Sequence, residues 1–266
     1  MPKFSVNLSM LFTEYSMLER PKAARLSGFD TIEVQFPYSE PIEDWVQAKE
    51  QSGVQVILIN TPPGDFAAGD RGLAALPGRE KEFRASIEMT KRYVQALSVR
   101  QVHVMSGIPP LDVERDRCAE TLRKNLEYAA SSLAEVGAIA QVEALNTVDV
   151  PGYYLTSTHS ALAAIKEAAH PNLSIQYDLY HMQIMEGDLL RTIEQNLDMI
   201  GHIQFADTPG RNEPGTGEIN FQRVFEVIDA LPYEGYVGAE YTPRRSTATS
   251  LSWYRDLENP ETENAS

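Results

Sequence analysis

Three carboxylates in this chain sit where carboxylates are expensive. Glu143 lies in Ala140-Gln141-Val142-Glu143-Ala144-Leu145, Asp178 in Ile175-Gln176-Tyr177-Asp178-Leu179, and Glu240 in Val237-Gly238-Ala239-Glu240-Tyr241. Each interrupts an apolar, strand-like run, and an ionised carboxylate is rarely buried without a partner. Brought to one mouth, the three would repel strongly. A divalent cation removes that cost, and oxygen donors suit a hard ion such as Mg²⁺ or Mn²⁺. Gln204, in His202-Ile203-Gln204-Phe205, could add a neutral carbonyl oxygen. A lone strand glutamate usually faces solvent or sits in an ion pair. Four oxygen donors on four successive strands point instead to a metal site of Glu143, Asp178, Gln204 and Glu240.

Such a set needs a scaffold that brings strand ends together. Short apolar runs at residues 3–10, 31–36, 54–60, 101–106, 139–145, 173–180, 202–206 and 236–241 read as strands. Helical patterns fall between them at 14–26, 42–51, 79–96, 114–135, 157–169, 189–199 and 221–230, with a last helix at 246–257. Gly28, Gly53 and Gly137 stop three of these helices. Strands alternating with helices at this spacing imply a parallel sheet, and eight units imply a closed (β/α)₈ TIM barrel. A doubly wound open sheet would carry a glycine-rich turn after its first strand. Here that turn is Met10-Leu11-Phe12-Thr13-Glu14, without glycine. The expected organisation is one barrel domain over 1–258 and a flexible tail over 259–266.

Barrel chemistry sits at the carboxyl ends of the strands. Asn7, Glu33, Asn60 and His103 lie near the ends of the first four strands. Asn7, Glu33 and Asn60 either line a pocket or are interior groups satisfied by neighbours; Asn7, Asn60 and His103 are carried as substrate-binding candidates. His202, two residues before Gln204, should point the same way but deeper. The long loop after the seventh strand, 207–220, holds one cation, Arg211. A guanidinium over a metal-carboxylate mouth suits a small anionic substrate, whose carboxylate it could grip through two parallel hydrogen bonds. The alternative is that Arg211 pairs with Glu213 or Glu218 and braces the loop. His159 and His170 read as surface groups on a helix, and Met182, Met185 and Met199 as core.

Composition excludes several functions. The 266 residues carry 23 Lys and Arg against 38 Asp and Glu, a net charge of −15. Nucleic-acid and membrane-surface binding rely on clustered cations, so neither is expected. The single cysteine, Cys118, can form no internal disulfide or thiolate cluster and reads as structural. No apolar run reaches the roughly 18–20 residues that cross a bilayer. The polar N-terminal segment Met1-Pro2-Lys3-Phe4-Ser5-Val6-Asn7 is unlike a signal peptide, so a cytoplasmic protein is expected.

These residues sit in stretches that resemble the hydroxypyruvate isomerase family of xylose-isomerase-like barrels. They are Asn7-Leu8-Ser9-Met10-Leu11-Phe12, Asn60-Thr61-Pro62-Pro63-Gly64-Asp65, residues 71–79, Val142-Glu143-Ala144-Leu145-Asn146, Gln176-Tyr177-Asp178-Leu179-Tyr180-His181, residues 213–220, and Gly238-Ala239-Glu240-Tyr241. The resemblance spans essentially the whole chain, and a close branch looks like 2-oxo-tetronate isomerases. It implies a metal-assisted isomerisation of a small hydroxy-keto acid, such as hydroxypyruvate to tartronate semialdehyde. By that similarity Glu143, Asp178, Gln204 and Glu240 match the metal ligands, Glu143 and Glu240 the acid/base pair, and His181 a substrate contact. Related ketose epimerases carry histidine where Gln204 stands. No nicotinamide, flavin or nucleotide is implied, and a homo-oligomer is compatible with this reading. Competing readings are a sugar epimerase or dehydratase on the same barrel, a zinc-dependent DNA-repair endonuclease, and a non-catalytic sugar-acid or metal binder. The endonuclease needs a basic groove and a histidine-rich cluster, against five histidines and a charge of −15 here.

Overall fold

In a computed structural model describing residues 1–258, eight parallel strands close into a barrel in chain order, β1 pairing with both β2 and β8. The strands are β1 (Lys3–Asn7), β2 (Thr31–Val34), β3 (Gln55–Asn60), β4 (Gln101–His103), β5 (Ile139–Glu143), β6 (Leu173–Asp178), β7 (Ile200–Phe205) and β8 (Tyr236–Ala239). Between them run α1 (Arg20–Leu26), α2 (Ile42–Ser52), α3 (Glu80–Leu97), α4 (Arg115–Ala134), α5 (Thr158–Ala168), α6 (Leu179–Met185), α7 (Leu189–Asn196) and α8 (Phe221–Ala230), with α9 (Thr247–Ser250) and α10 (Ser252–Glu258) after β8. The expected tail, 259–266, lies outside the described residues. Among those described, no helix is long and apolar enough to cross a membrane.

Boundaries moved for identifiable reasons. The first helix begins at Arg20 rather than residue 14, because Pro21 can occupy only a first turn, where its missing N–H breaks no bond. Strand β4 ends at His103, not 106. Beyond it Met105 donates its N–H to Thr61 Oγ1, and Ser106 forms an isolated antiparallel bridge with Gly72. Gly72 and Gly107 make this crossing feasible. Both have positive φ, and a Cβ on Gly72 would strike the backbone of Met105, one on Gly107 that of Gly72. Helix α6 was not expected: it starts directly after β6 with no turn residue, and Asp178 caps it by accepting from the Tyr180 N–H. The last helix is split at Leu251 into α9 and α10.

The core lies between barrel and helices. In it Phe4, Phe205, Phe225 and Trp253 form an aromatic cluster, with Phe4–Phe225 meeting edge to face at 4.9 Å between centroids and Phe205–Trp253 at 5.1 Å. Each such pair contributes about 0.5–1.5 kcal/mol beyond burial. Through Trp253, α10 thus packs against Phe4 of β1 and Phe205 of β7. Cys118 is buried on α4 and burial raises its thiol, as a structural cysteine requires. Met182 is buried and Met185 and Met199 pack against the core. His159 is exposed on α5; His170 lies just past that helix, half-buried, within 3.1 Å of Ser131 Oγ.

Candidate active site

Asn7, Asn60, His103, Glu143 and Asp178 are the last residues of β1, β3, β4, β5 and β6; Gln204 is one short of the end of β7, and Glu240 follows β8. In-register pairing sets Asp178 beside Gln204, and Gln204 beside Gly238. Closure of the barrel therefore gathers side chains up to 233 residues apart, such as Asn7 and Glu240.

Glu143 and Asp178 are each anchored through one oxygen and leave the other unpartnered, whereas Glu240 is held through both. Glu143 Oε2 accepts from Gln176 Nε2 at 2.8 Å, while its buried Oε1 has no hydrogen-bond partner. Asp178 Oδ1 accepts from the Tyr180 N–H at 2.8 Å, while its buried Oδ2 has none. Glu240 Oε1 accepts from Asn7 Nδ2 at 2.8 Å, Gln35 Nε2 at 2.9 Å and Gln204 Nε2 at 3.3 Å, leaving Oε2 to face Arg211. These second oxygens converge on Arg211 and His181. Arg211 Nη2 lies 2.7 Å from Glu240 Oε2 and 3.8 Å from Asp178 Oδ2; His181 Nε2 lies 3.7 Å from Asp178 Oδ2 and 4.0 Å from Glu143 Oε1.

The electrostatics follow. Burial, then the charges of Glu240 and Asp178, raise Glu143 well above the ordinary carboxylate range. Burial lifts Asp178 to about 7 against the opposing pull of Arg211, and Glu240 is raised by burial in the same contest. Burial first, then Arg211 and His103, push His181 well below the usual imidazole range, and burial takes His103 to about 3, so both are neutral at pH 7. His103 Nδ1 lies 3.1 Å from Glu143 Oε2 without hydrogen-bond geometry. Glu143, Asp178 and His181 offer ligand atoms within 4.8 Å of one another, a buried group able to hold a metal ion. Two unpartnered carboxylate oxygens facing one space are the donor chemistry a hard divalent cation takes.

Beneath lies a second polar layer. Glu33 Oε1 accepts from Ser5 Oγ at 2.5 Å and is 2.8 Å from His202 Nε2; Glu33 Oε2 accepts from Gln204 Nε2 at 2.7 Å. Although burial opposes it, the attraction of His202 and the hydrogen bonds from His202, Ser5 and Gln204 hold Glu33 below its ordinary range. Gly238 leaves the space, since a Cβ there would strike Glu33 Oε1. His202 does point deeper than Gln204. Glu33 thus serves the barrel interior, the second of the two readings open to it. The Gln204 oxygen accepts from Gln176 Nε2 at 2.6 Å, so an amide chain, Gln176 to Gln204, links Glu143 to Glu240. Asn60 Oδ1 and both His103 nitrogens are buried without hydrogen-bond partners among the described residues.

The chain matches the family described as Xylose isomerase-like TIM barrel over residues 21–257. It is 42% identical to the 2-oxo-tetronate isomerase of Cupriavidus necator over 96% of this chain and 98% of that protein. It is 44% identical to the hydroxypyruvate isomerase of Escherichia coli over 95% of this chain and 98% of that protein. The chain belongs to the hydroxypyruvate isomerase family of these barrels. A solved structure named AP endonuclease, family 2, from Brucella melitensis superposes with a TM-score of 0.93 at 42% identity, covering 96% of this chain and 98% of that one.

Within this family fold, the loop after β7 departs from the bracing arrangement. Glu213 accepts from the Arg244 N–H and Glu218 from Gln183, while Arg211, in left-handed backbone with φ 51°, turns inward to Glu240. The loop is organised by Asp207 instead, whose carboxylate accepts from the N–H groups of Gly215, Thr216, Gly217 and Ile219. Gln35, Asn146 and Gln176 were not anticipated as site residues. Gln176 alternates with Asp178 on one strand face, the one signal available in the sequence.

Proposed function

We propose that this chain is a metal-assisted isomerase interconverting a small hydroxy-keto acid and its aldehyde isomer, of the hydroxypyruvate or 2-oxo-tetronate type. The observation that carries this reading is the pair of buried, unpartnered oxygens of Glu143 and Asp178, each carboxylate anchored through its other oxygen, beside a Glu240 whose second oxygen is held by Arg211. Unpartnered carboxylate oxygens held in orientation are what a cation and a proton-transfer step both need. Glu143, Asp178, Gln204 and Glu240 would hold Mg²⁺ or Mn²⁺, which supplies polarisation of the substrate carbonyl and hydroxyl oxygens.

The chain's own groups account for the proton movement. Glu143 and Glu240 flank the centre from β5 and β8. One removes the carbon-bound proton to give an enediolate, the hydroxyl proton passes to the former carbonyl oxygen, the other glutamate returns a proton to the adjacent carbon, and exchange with solvent restores the starting protonation of the pair. Burial raises the proton affinity of both, so that one carboxyl can hold a proton while the other is ionised to accept one. Asn7, Gln35 and Gln176 hold the two in orientation. His181, His103 and Asn60 present polar atoms to the substrate. Arg211 would take the substrate carboxylate, and to do so must release Glu240.

The test is turnover of hydroxypyruvate and of 2-oxo-tetronate by protein treated with chelator, then supplied with Mg²⁺ or Mn²⁺. Activity lost on chelation and restored by the metal is expected. Full activity in metal-free protein overturns the metal's role, and no turnover of either acid overturns the substrate class. An abasic-site DNA duplex, run in parallel, should remain uncut.

A further inference from the structure

The hydrogen bonds around His181 determine where its proton sits. Its Nδ1 accepts from the backbone N–H of Asn146 at 3.1 Å, and a backbone amide nitrogen can only donate. The Asn146 side chain is equally constrained. Its Oδ1 accepts from the N–H groups of Val148 at 3.0 Å and Asp149 at 2.8 Å, which identifies the oxygen. Its Nδ2 then faces Asp149 Oδ2 at 3.0 Å and His181 Nδ1 at 2.7 Å. Two donors therefore meet on Nδ1. A proton there would collide with both, and a flipped ring would offer them only carbon. A bare Nδ1 leaves the proton of a neutral imidazole on Nε2.

That assignment runs opposite to a metal-ligating histidine, which donates through its second nitrogen to fix the ligating one unprotonated. Here the second nitrogen accepts. The protonated Nε2 instead faces the unpartnered oxygens of Asp178 and Glu143, at 3.7 Å and 4.0 Å. We propose that Asn146 is a positioning residue that fixes His181 as the Nε2–H tautomer, so that the imidazole meets the substrate as a neutral hydrogen-bond donor and stays outside the metal's ligand set. Asn146 is itself held by Asp149, whose Oδ2 also accepts from the Tyr180 hydroxyl at 2.8 Å. The Tyr180 ring stands edge-on to His181, with centroids 5.3 Å apart, and the Arg211 guanidinium lies 5.1 Å from that ring's centroid. One carboxylate thus orients both candidate substrate donors. The role given to the donor rests on the isomerase reading; the tautomer does not.

The experiment is ¹⁵N NMR of the full chain with ¹⁵N-labelled histidine, His181 being assigned against His181→Gln. The expected result is a proton on Nε2 and none on Nδ1 near neutral pH, unchanged when Mg²⁺ is added. A proton on Nδ1, or loss of the Nε2 proton on adding Mg²⁺, overturns the proposal. Asn146→Asp presents an acceptor to Nδ1 and should move the proton there, lowering kcat roughly 10–100-fold with a smaller change in KM. Asn146→Ala keeps only the backbone donor to Nδ1, so it should admit a detectable share of the Nδ1–H tautomer and lower kcat less than Asn146→Asp does. Equal losses in both variants with an unchanged tautomer would make Asn146 merely structural. If neither acid is turned over, the isomerase reading fails while the wild-type spectrum still decides the tautomer.

Discussion

Replacing Arg211 by methionine removes the guanidinium that pairs with Glu240 and Asp178 and keeps a side chain of similar reach. The guanidinium lies 2.7 Å from Glu240 and 3.8 Å from Asp178, with its side chain 24% exposed. Removing one partner of a buried ion pair costs about 3–5 kcal/mol, because the other charge is left uncompensated. Partial exposure and the readiness of Asp178 and Glu143 to take up protons place the expected loss near the lower end, about 3 kcal/mol. At roughly 2–4 °C per kcal/mol for a domain of this size, melting in chelator should fall by about 6–12 °C. A divalent ion replaces the lost positive charge, so saturating Mg²⁺ should recover most of that difference; a ligand at 100 times its Kd contributes about 2.7 kcal/mol. Metal titration should also show tighter binding in Arg211→Met, since the guanidinium no longer competes for Glu240 and Asp178. Scanning calorimetry with and without Mg²⁺ reads both effects. A melting temperature in chelator within a degree of wild type, or a loss that bound metal leaves untouched, would refute the counter-charge argument.

Glu143→Gln and Glu240→Gln should each lower turnover by roughly 10²–10⁴-fold; a metal-loaded variant that still exchanges the substrate's carbon-bound hydrogen with solvent at the wild-type rate removes that residue from the acid/base pair. Metal affinity should weaken as pH falls through about 7, the value to which Asp178 is raised. The sign follows because a raised carboxyl is protonated below that pH and the cation must displace the proton. Calorimetry in buffers of different ionisation enthalpy should register proton release, and a Kd flat across this range would contradict the raised value. Arg211→Lys keeps the charge but loses the two-pronged geometry, so KM for the acid should rise more than kcat falls; an unchanged KM with a lowered melting temperature would leave Arg211 a structural counter-charge.

Much of the site was legible because strand physics makes polar residues conspicuous. A carboxylate at the end of a covered apolar run, as at Glu143, Asp178 and Glu240, has few explanations, and eight strand-helix alternations leave little choice of topology. Local signals also set several element ends, including Gly53 after α2 and Pro21 in the first turn of α1. Helix α6 escaped because its cap, Asp178, belongs to the strand before it and reads as a site residue.

The sequence by itself therefore determined the barrel, the order of its eight strands and the carboxylates at their ends, since all of these depend on periodicity and position along a strand. Only the tertiary structure decided what each polar atom does there. Glu33 and His202 are 169 residues apart and meet only because β2 and β7 enclose the same interior. Arg211 meets Glu240 rather than the glutamates of its own loop, of which Glu213 accepts from the Arg244 N–H and Glu218 from Gln183. The free oxygens of the carboxylates, and the proton on His181, follow from which neighbours donate to which atom. Hydrogen-bond direction is a property of three-dimensional contacts between distant strands, and no linear pattern carries it.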